Sequence, residues 1–308
     1  MPLIDTHVHI LGFPSFDDLS EQIRTPRDVL QFRKRFPDLY NAGRREPAYD
    51  NSQHLLEQMD RYGVTHAVVQ PTSGNTTNDM VADAVRSHPD RFVGLGGVGK
   101  QQRALGYAAD PAASREQAVR EAERCLGELG LRGIGEVSVR AITREVNPEV
   151  IADDFEPLMA VLERHGNAPI QLPTAWTQYA GGLRYGDPAW VDDLANRHPA
   201  VPIVLTKMGR SIQHLFDNAL VVALRNDNVY FDTVGTTADH LRTAVRELGS
   251  DRIMFGTDWS ATWRWVRDPG DVHEMRLATI DEAGLTTAER DDILWRTASR
   301  VFGIPVEG

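Results

Sequence analysis

Short apolar runs rich in β-branched residues alternate along this chain with longer amphipathic segments. Runs of roughly four to eight residues predict buried strands, and longer segments with a helical period predict helices. The predicted strands are residues 3–10, 65–71, 91–98, 131–139, 169–173, 201–207, 229–233 and 252–257. The predicted helices are residues 51–62, 78–87, 114–129, 153–165, 188–197, 211–224, 238–248 and 271–283. This alternation is typical of βα units around a parallel sheet.

Eight strands with eight following helices favour an α/β fold made of a single (β/α)8 TIM barrel over two separate domains. A chain of 308 residues is long enough for either arrangement. We therefore expect one domain over residues 1–308, with residues 286–302 as an extra C-terminal helix. Residues 11–50, which follow strand one, are too many for a simple βα loop. They predict an insertion over the barrel mouth that serves as a lid or a substrate wall.

Charge and composition exclude several classes of protein. A net charge of -11 argues against nucleic-acid binding and against binding to an anionic membrane surface. No apolar run approaches the roughly 20 residues that a transmembrane helix needs, and the first residues lack the basic segment of a secretory signal. The single cysteine, Cys125, excludes an internal disulfide and is expected to be a buried thiol. A cytoplasmic location is expected.

The first strand carries an Asp-x-His-x-His motif, formed by Asp5, His7 and His9. Alternate side chains of a strand share a face, so these three side chains are expected to project together. Two imidazoles at this spacing can converge on one cation, which predicts a metal site. The alternative is that one or both histidines are ordinary packed or surface residues.

Two acidic residues stand near the ends of other predicted strands, where the active sites of such barrels lie. Asp258 follows strand eight, next to strand one, and could be a third ligand or accept a proton from an activated water. It could instead be a turn or N-cap residue. Glu136 stands in an apolar strand, where a carboxylate is costly unless it is paired, so it is the candidate fourth ligand. A buried ion pair with an arginine is the competing explanation for Glu136.

Five segments together resemble the amidohydrolase superfamily. They are IDTHVH at 4–9, HPDRFVG at 88–94, GLRGIGE at 130–136, SDRIMFGTD at 250–258 and ILWRTASRVFG at 293–303. Within the superfamily the chain is similar to the amidohydrolase-related branch that includes aminocarboxymuconate-semialdehyde decarboxylase and related aromatic-acid decarboxylases. The resemblance implies that His7, His9, Glu136 and Asp258 correspond to the more buried half of a two-metal site, with Glu136 in the bridging position.

The chain departs from this branch at two strand ends where a histidine is usual. Pro173 stands at the place of the strand-five histidine, and Lys207 at that of the strand-six histidine. One divalent metal is therefore expected, with zinc as the first choice and manganese or iron compatible with the same ligands. Lys207 would stabilise developing negative charge where relatives have a histidine or a second cation. Alternatively, a neutral Lys207 would act as a base or as a Schiff-base nucleophile.

Several residues are candidates for binding a small-molecule substrate. Arg210, Arg140 and Gln171 could bind a carboxylate or an amide, although exposed arginines are often only solvated. Trp176 and Trp259 would favour a flat or aromatic substrate if they line the mouth, and core packing is the alternative. For the oligomeric state, a homodimer is the default expectation.

Three functions remain open on the sequence. The first is a metal-dependent hydrolase of a C–N or C–O bond, in an amide, lactone or cyclic imide, with Asp258 and Lys207 as catalytic groups. The second is a non-oxidative decarboxylase or other lyase, favoured by the branch resemblance. The third is a metal-free barrel that binds a small molecule or has lost its chemistry. Converging acidic and imidazole side chains are costly without a cation, which counts against the third. The hydrolase is the first expectation.

Overall fold

A computed structural model of the protein describes residues 2–10, 25, 27–28, 31–43, 48–71, 76–98, 111–143, 145–174, 185–259 and 272–306. Eight parallel strands form one sheet in which neighbours in sequence are neighbours in space. The strands are β1 (Ile4–Ile10), β2 (His66–Pro71), β3 (Phe92–Gly96), β4 (Gly133–Ile134), β5 (Ile170–Pro173), β6 (Ile203–Thr206), β7 (Val229–Asp232) and β8 (Ile253–Met254). All eight predicted strands are therefore present.

The first and last strands approach each other and nearly close the sheet. The Thr6 backbone N–H donates to the Phe255 carbonyl at 2.9 Å, and the Asp258 N–H donates to the His7 carbonyl at 2.8 Å. The predicted (β/α)8 TIM barrel is confirmed. The closure places the end of β8 beside β1, as predicted from the sequence.

Helices pack around this barrel, several of them with threonine at the start. The described α-helices are α1 (Phe32–Arg35), α2 (Pro37–Gly43), α3 (Ser52–Tyr62), α4 (Asn78–Ser87), α5 (Pro111–Gly127), α6 (Val139–Ile142), α7 (Pro148–Arg164), α8 (Val191–Arg197), α9 (Gln213–Arg225), α10 (Ala238–Leu248), α11 (Val272–Glu282), α12 (Thr287–Asp291) and α13 (Thr297–Phe302). The side chains of Thr77 and Thr237 accept an N–H in the first turns of α4 and α10. Such caps satisfy backbone donors that have no partner within the helix.

Strands β4 and β8 are shorter than predicted. The sequence pattern predicted residues 131–139 and 252–257, whereas the ladders hold two residues each. Beyond these pairs the backbone leaves the ladder, and the segments carrying Glu136 and Asp258 run to the mouth of the barrel. An apolar pattern reports burial rather than strand pairing, which is why it overestimated both strands.

An apolar layer fills the barrel beneath the mouth. It combines residues from five strands with the C-terminal segment, and its members are Ile4, Val68, Leu95, Val204, Met254, Ala298, Phe302 and Ile304. The predicted C-terminal helix thus closes the end of the barrel that lies opposite the C-terminal ends of the strands. Because the interior is filled here, a ligand site is confined to the mouth.

The segment after β1 is described in part. Within residues 11–50 the described portions include α1 and α2. Its role as a lid stays a prediction, as does the assignment of residues 1–308 to one domain. Among the described helices, none combines the length and the hydrophobicity that a membrane span requires.

Candidate functional site

The two histidines of β1 are each anchored through one ring nitrogen. His7 Nδ1 lies 2.6 Å from Asp232 Oδ2, and His9 Nδ1 lies 3.1 Å from the Pro71 carbonyl oxygen. With Nδ1 donating to these acceptors, the lone pair of each imidazole in its neutral form is on Nε2. The two Nε2 atoms are 3.3 Å apart. Both imidazoles therefore present their metal-binding atoms to one point.

Asp258 brings a carboxylate to the same point. Its Oδ1 lies 3.4 Å from His7 Nε2 and 3.1 Å from His9 Nε2. The three ligand atoms lie within 4.8 Å of one another, and all three residues are buried. The backbone of Asp258 has a φ of 60°, a left-handed conformation that most residues avoid, and its N–H donates to the His7 carbonyl. Hence β1 and the end of β8 build one compact His-His-Asp group.

This group fits a divalent metal ion. Among the described residues, the buried Oδ1 of Asp258 accepts no hydrogen bond, although both imidazoles are close to it. A cation between the three atoms would supply the missing partner. Ligands about 2.0–2.2 Å from a tetrahedral ion are separated by about 3.4 Å, which is close to the observed spacing. Three protein ligands also leave a coordination position for a substrate.

Glu136 and Lys207 form an ion pair next to this group. Lys207 Nζ lies 2.5 Å from Glu136 Oε1, and the Thr206 hydroxyl donates to the same oxygen at 2.6 Å. Lys207 Nζ is also 3.7 Å from Asp258 Oδ2 and 3.5 Å from His7 Nε2. Glu136 Oε1 is 3.9 Å from His7 Nε2, farther than the three atoms of the His-His-Asp group are from one another. Lys207 is thus an ion-pair partner of Glu136 among the described residues, and the role of Glu136 as a metal ligand stays a prediction.

Burial and neighbouring charges set the protonation states of the site. Burial and Lys207 lower the pKa of His7, but Asp232 and Asp258 outweigh them and raise it to about 9. Burial raises the pKa of Asp258, yet Lys207 and His7 hold it well below its usual range. Burial lowers the pKa of Lys207, and Asp258 and Glu136 nevertheless raise it. Lys207 is therefore an ammonium ion near neutral pH, which favours an electrostatic role over a neutral base or nucleophile.

Lys207 begins a strained left-handed turn that follows β6. The φ angles are 73° at Lys207, 38° at Met208, 72° at Gly209, 49° at Arg210 and 63° at Ser211. Each residue other than glycine costs roughly 1–2 kcal/mol in this conformation. Two bonds hold the turn: the Lys207 N–H donates to Asp232 Oδ1 at 2.7 Å, and the Gly209 N–H donates to Thr174 Oγ1 at 3.1 Å. Strain of this kind persists where the surroundings enforce it, commonly at functional sites.

Asp5 does not project with the two histidines, contrary to the expectation from strand alternation. Its carboxylate accepts the His7 N–H at 3.1 Å, and the Thr257 N–H and hydroxyl at 3.1 and 2.6 Å. The register between β1 and β2 shifts after Asp5, so the strict period of two is broken there. Asp5 joins β1 to the end of β8 instead of facing the metal group.

Asp232, at the end of β7, was not among the site residues predicted from the sequence. It is fully buried, and besides His7 it accepts the N–H groups of Lys207 and Val234 at 2.7 and 3.1 Å. The same rule that selected Asp258 and Glu136, an acidic residue at the C-terminal end of a barrel strand, would have found it.

The predicted substrate-binding residues are distributed as follows. Gln171 is fully buried on β5, and its Nε2 donates to the Thr6 carbonyl at 2.7 Å. Arg210 lies on the left-handed turn against Gly235, and Trp259 is buried and stacks on a neighbouring imidazole, that of His54. The side chain of Arg140 and all of Trp176 lie outside the described part of the chain. Substrate contacts of these five residues stay predictions.

The chain is similar to proteins named as decarboxylases. It is 24% identical to a gamma-resorcylate decarboxylase of Polaromonas sp. (strain JS666 / ATCC BAA-500), over 92% of this chain and 97% of the relative. The structure superposes on 5-carboxyvanillate decarboxylase from Sphingomonas paucimobilis with a TM-score of 0.63, at 21% identity and over 99% of both chains. It also superposes on a dihydroxybenzoic acid decarboxylase of Polaromonas sp. JS666 with bound manganese and the inhibitor 2-nitroresorcinol. For this third protein the TM-score is 0.63 and the identity 17%, over 99% of this chain and 98% of the other.

These relatives correct the first functional expectation. The hydrolase interpretation is wrong, because the curated relatives are named decarboxylases, and the decarboxylase alternative is the better one. A His-His-Asp metal group is compatible with hydrolysis and with decarboxylation. These residues alone could therefore not decide between the two reactions. The choice of zinc as the first metal stays a prediction, and the third similar structure carries manganese.

A family model extends the similarity over nearly the whole chain. The amidohydrolase model matches residues 4–304, from β1 to the segment after α13. This range contains every strand of the barrel and all three members of the His-His-Asp group. The chain therefore belongs to the amidohydrolase family.

Proposed function

We propose that the protein catalyses the non-oxidative decarboxylation of a hydroxylated aromatic acid. The observation that carries the proposal is a buried cation beside the metal-binding group: Lys207 Nζ lies 3.5 Å from His7 Nε2 and 3.7 Å from Asp258 Oδ2. A cation in this position favours an anionic substrate and the negative charge that develops when carbon dioxide leaves. The names of the relatives support the aromatic acid as the substrate class.

In this proposal His7, His9 and Asp258 hold one divalent ion, and Glu136 is a candidate fourth ligand. When bound, the ion supplies Lewis-acid stabilisation of negative charge on substrate oxygens. Nitrogen and carboxylate ligands suit manganese, iron and zinc. We place manganese first because a similar decarboxylase structure contains it.

The reaction exchanges a carboxylate for a proton. The bond between the ring carbon and the carboxyl carbon breaks, its electron pair stays on the ring, carbon dioxide leaves, and a proton takes its place. Lys207 is protonated and buried beside the group, so its charge stabilises the electron-rich ring and its proton is available for that carbon. Glu136 and Asp258 keep Lys207 charged, and Thr206 fixes the Glu136 carboxylate.

The test combines metal content with product formation. Protein purified without chelators is analysed for metal and assayed for carbon dioxide release from 2,6-dihydroxybenzoate and other hydroxybenzoates. We expect about one equivalent of metal in the parent, and loss of both metal and activity in His7→Ala and Asp258→Ala. Metal-replete protein that releases no carbon dioxide from any hydroxylated aromatic acid would contradict the proposal.

The role of Lys207 is tested by a pair of variants. Lys207→Arg keeps the charge but offers no readily transferable proton, whereas Lys207→Met loses both. Turnover should fall in both variants and fall further in Lys207→Met. Parental turnover in both would remove Lys207 from the mechanism.

A further inference from the structure

Arg276 is a buried cation that the proposed reaction does not use. It lies on α11, on the face turned toward the barrel, with Val272, His273 and Ile280. The residue is 9% exposed, so about nine-tenths of its surface is removed from water. Arginine is rarely buried to this extent unless an anion accompanies it.

Within the described part of the chain, Arg276 has no such anion. Its buried Nε donates no hydrogen bond, and no described carboxylate forms an ion pair with its guanidinium. Two acids of the neighbourhood already have partners: Asp232 binds His7 at 2.6 Å, and Asp5 binds Thr257 at 2.6 Å. None of the described acids therefore forms an ion pair with this guanidinium.

Arg276 lies next to the candidate site. One turn earlier on α11, His273 Nε2 is 3.3 Å from Asp5 Oδ2, and Asp5 holds Thr257, which directly precedes Asp258. Burial lowers the pKa of Arg276, and Asp258 is the charge that most opposes this effect. The guanidinium thus belongs to the same group of charges as the metal-binding residues.

A second cation reaches the same neighbourhood. Arg210, on the left-handed turn after β6, is close enough to Arg276 to contribute to the lowering of its pKa. Two guanidinium groups near each other repel, and a buried charge without an ion-pair partner destabilises the folded protein. An anionic ligand between the turn and α11 would relieve both costs. The planar fork of a guanidinium matches a carboxylate.

We propose that Arg276 binds a carboxylate of the substrate other than the one that is lost. The substrate is then an aromatic acid with two carboxylates, one reacting beside Lys207 and one held at Arg276. The inference rests on the proposed decarboxylation for the identity of the reacting carboxylate. Arg276 is a specificity-determining residue in this scheme, since it selects diacids over monoacids.

Binding of two non-hydroxylated probes tests the inference without turnover. Benzene-1,3-dicarboxylate and benzoate are titrated calorimetrically into the metal-loaded parent, into Arg276→Met, and into Arg246→Met as an exposed control. The parent and the control should bind the dicarboxylate at least about tenfold more tightly than benzoate, and Arg276→Met should lose this preference. An equal preference in the parent and in Arg276→Met would overturn the inference.

Melting temperature distinguishes a binding arginine from a structural one. Removal of a buried charge that has no internal partner should leave the ligand-free protein as stable as the parent or more stable, whereas loss of a structural ion pair should destabilise it. A lower melting temperature in Arg276→Met, with the diacid preference retained, assigns Arg276 a structural role and overturns the inference. If Arg276→Met does not fold, Arg276→Lys replaces it in the binding test. Lysine keeps the positive charge but lacks the planar guanidinium, so it should weaken the preference for the dicarboxylate.

The two proposals fail separately. Carbon dioxide release from a hydroxybenzoate, together with a diacid preference independent of Arg276, leaves the proposed function intact and overturns the inference. An Arg276-dependent diacid preference without decarboxylation of any aromatic acid supports the binding site and contradicts the proposed function.

Discussion

His7 and Asp232, which are 225 positions apart in the sequence, share a fully buried hydrogen bond of 2.6 Å between the ring Nδ1 and a carboxylate oxygen. The other oxygen of Asp232 accepts the backbone N–H of Lys207. One carboxylate therefore orients a candidate metal ligand and fixes the start of the strained turn that carries the cation. Its partners lie on β1 and directly after β6.

We expect Asp232→Asn to weaken metal binding by about 10- to 100-fold while the barrel still folds. An asparagine amide that faces Nδ1 with its N–H would favour the tautomer that places a hydrogen on Nε2, the metal-binding atom. Metal affinity measured by chelator competition, beside a melting curve, checks this expectation. Parental affinity in a folded Asp232→Asn protein would show that Asp232 does not act on the metal site.

Two glycines with almost the same φ allow the cost of backbone strain to be measured separately from the cost of steric overlap. Gly63 and Gly209 have φ values of 70° and 72°. A Cβ on Gly63 would meet nothing within 4 Å, whereas one on Gly209 would lie 2.4 Å from the Phe216 backbone nitrogen. Gly63→Ala should lower the free energy of unfolding by about 1 kcal/mol, and Gly209→Ala by about 3 kcal/mol or more. Equal losses in urea denaturation would mean that the turn can move away from α9.

Cys125 should not react in the native protein. It is fully buried, and burial raises the pKa of its thiol, so the reactive thiolate is scarce. Its Sγ lies 2.5 Å from where a Cβ on Gly96 would stand, which shows how closely β3 and α5 pack here. A colourimetric thiol reagent should label one thiol in denaturant and essentially none in buffer. Rapid labelling of the native protein would indicate frequent opening between α5 and the sheet.

A surface ion pair should make a small, pH-dependent contribution to stability. Arg124 donates to both oxygens of Asp79 at 2.9 Å, and these bonds lower the pKa of Asp79. Because the folded pKa is depressed, the stabilisation is present above the unfolded value of about 3.9 and is lost as the pH falls through the folded value.

Asp79→Asn should therefore lower the free energy of unfolding at pH 7 by less than about 1 kcal/mol, since the Asp79 side chain is more than half exposed. The difference from the parent should shrink as the pH drops below about 4. Denaturation at several pH values measures it, and a double-mutant cycle with Arg124→Gln assigns it to the pair. A difference that stays constant with pH would exclude the carboxylate charge as its cause.

Much of the architecture was predictable because it follows from local pattern. The alternation of apolar runs and amphipathic segments predicted all eight strands and the barrel, since each element must bury one face in its own neighbourhood. The rule that barrel sites lie at strand ends selected His7, His9 and Asp258, which the structure brings within 4.8 Å of one another. The spacing of the two histidines on β1 was sufficient to predict that they face one metal site.

The tertiary structure alone decided how these groups are partnered. The sequence does not show that Glu136 binds Lys207, that Asp232 binds His7, or that Arg276 is buried with no carboxylate partner among the described residues, because each depends on contacts between distant elements. The five consecutive positive φ angles after β6 could not be predicted from the sequence either. Four of the five residues are not glycine, and only hydrogen bonds from the surroundings enforce that conformation. By itself the sequence determined the barrel and the main metal-binding candidates, while the charge balance around them arose from the way the folded chain brings buried charges together.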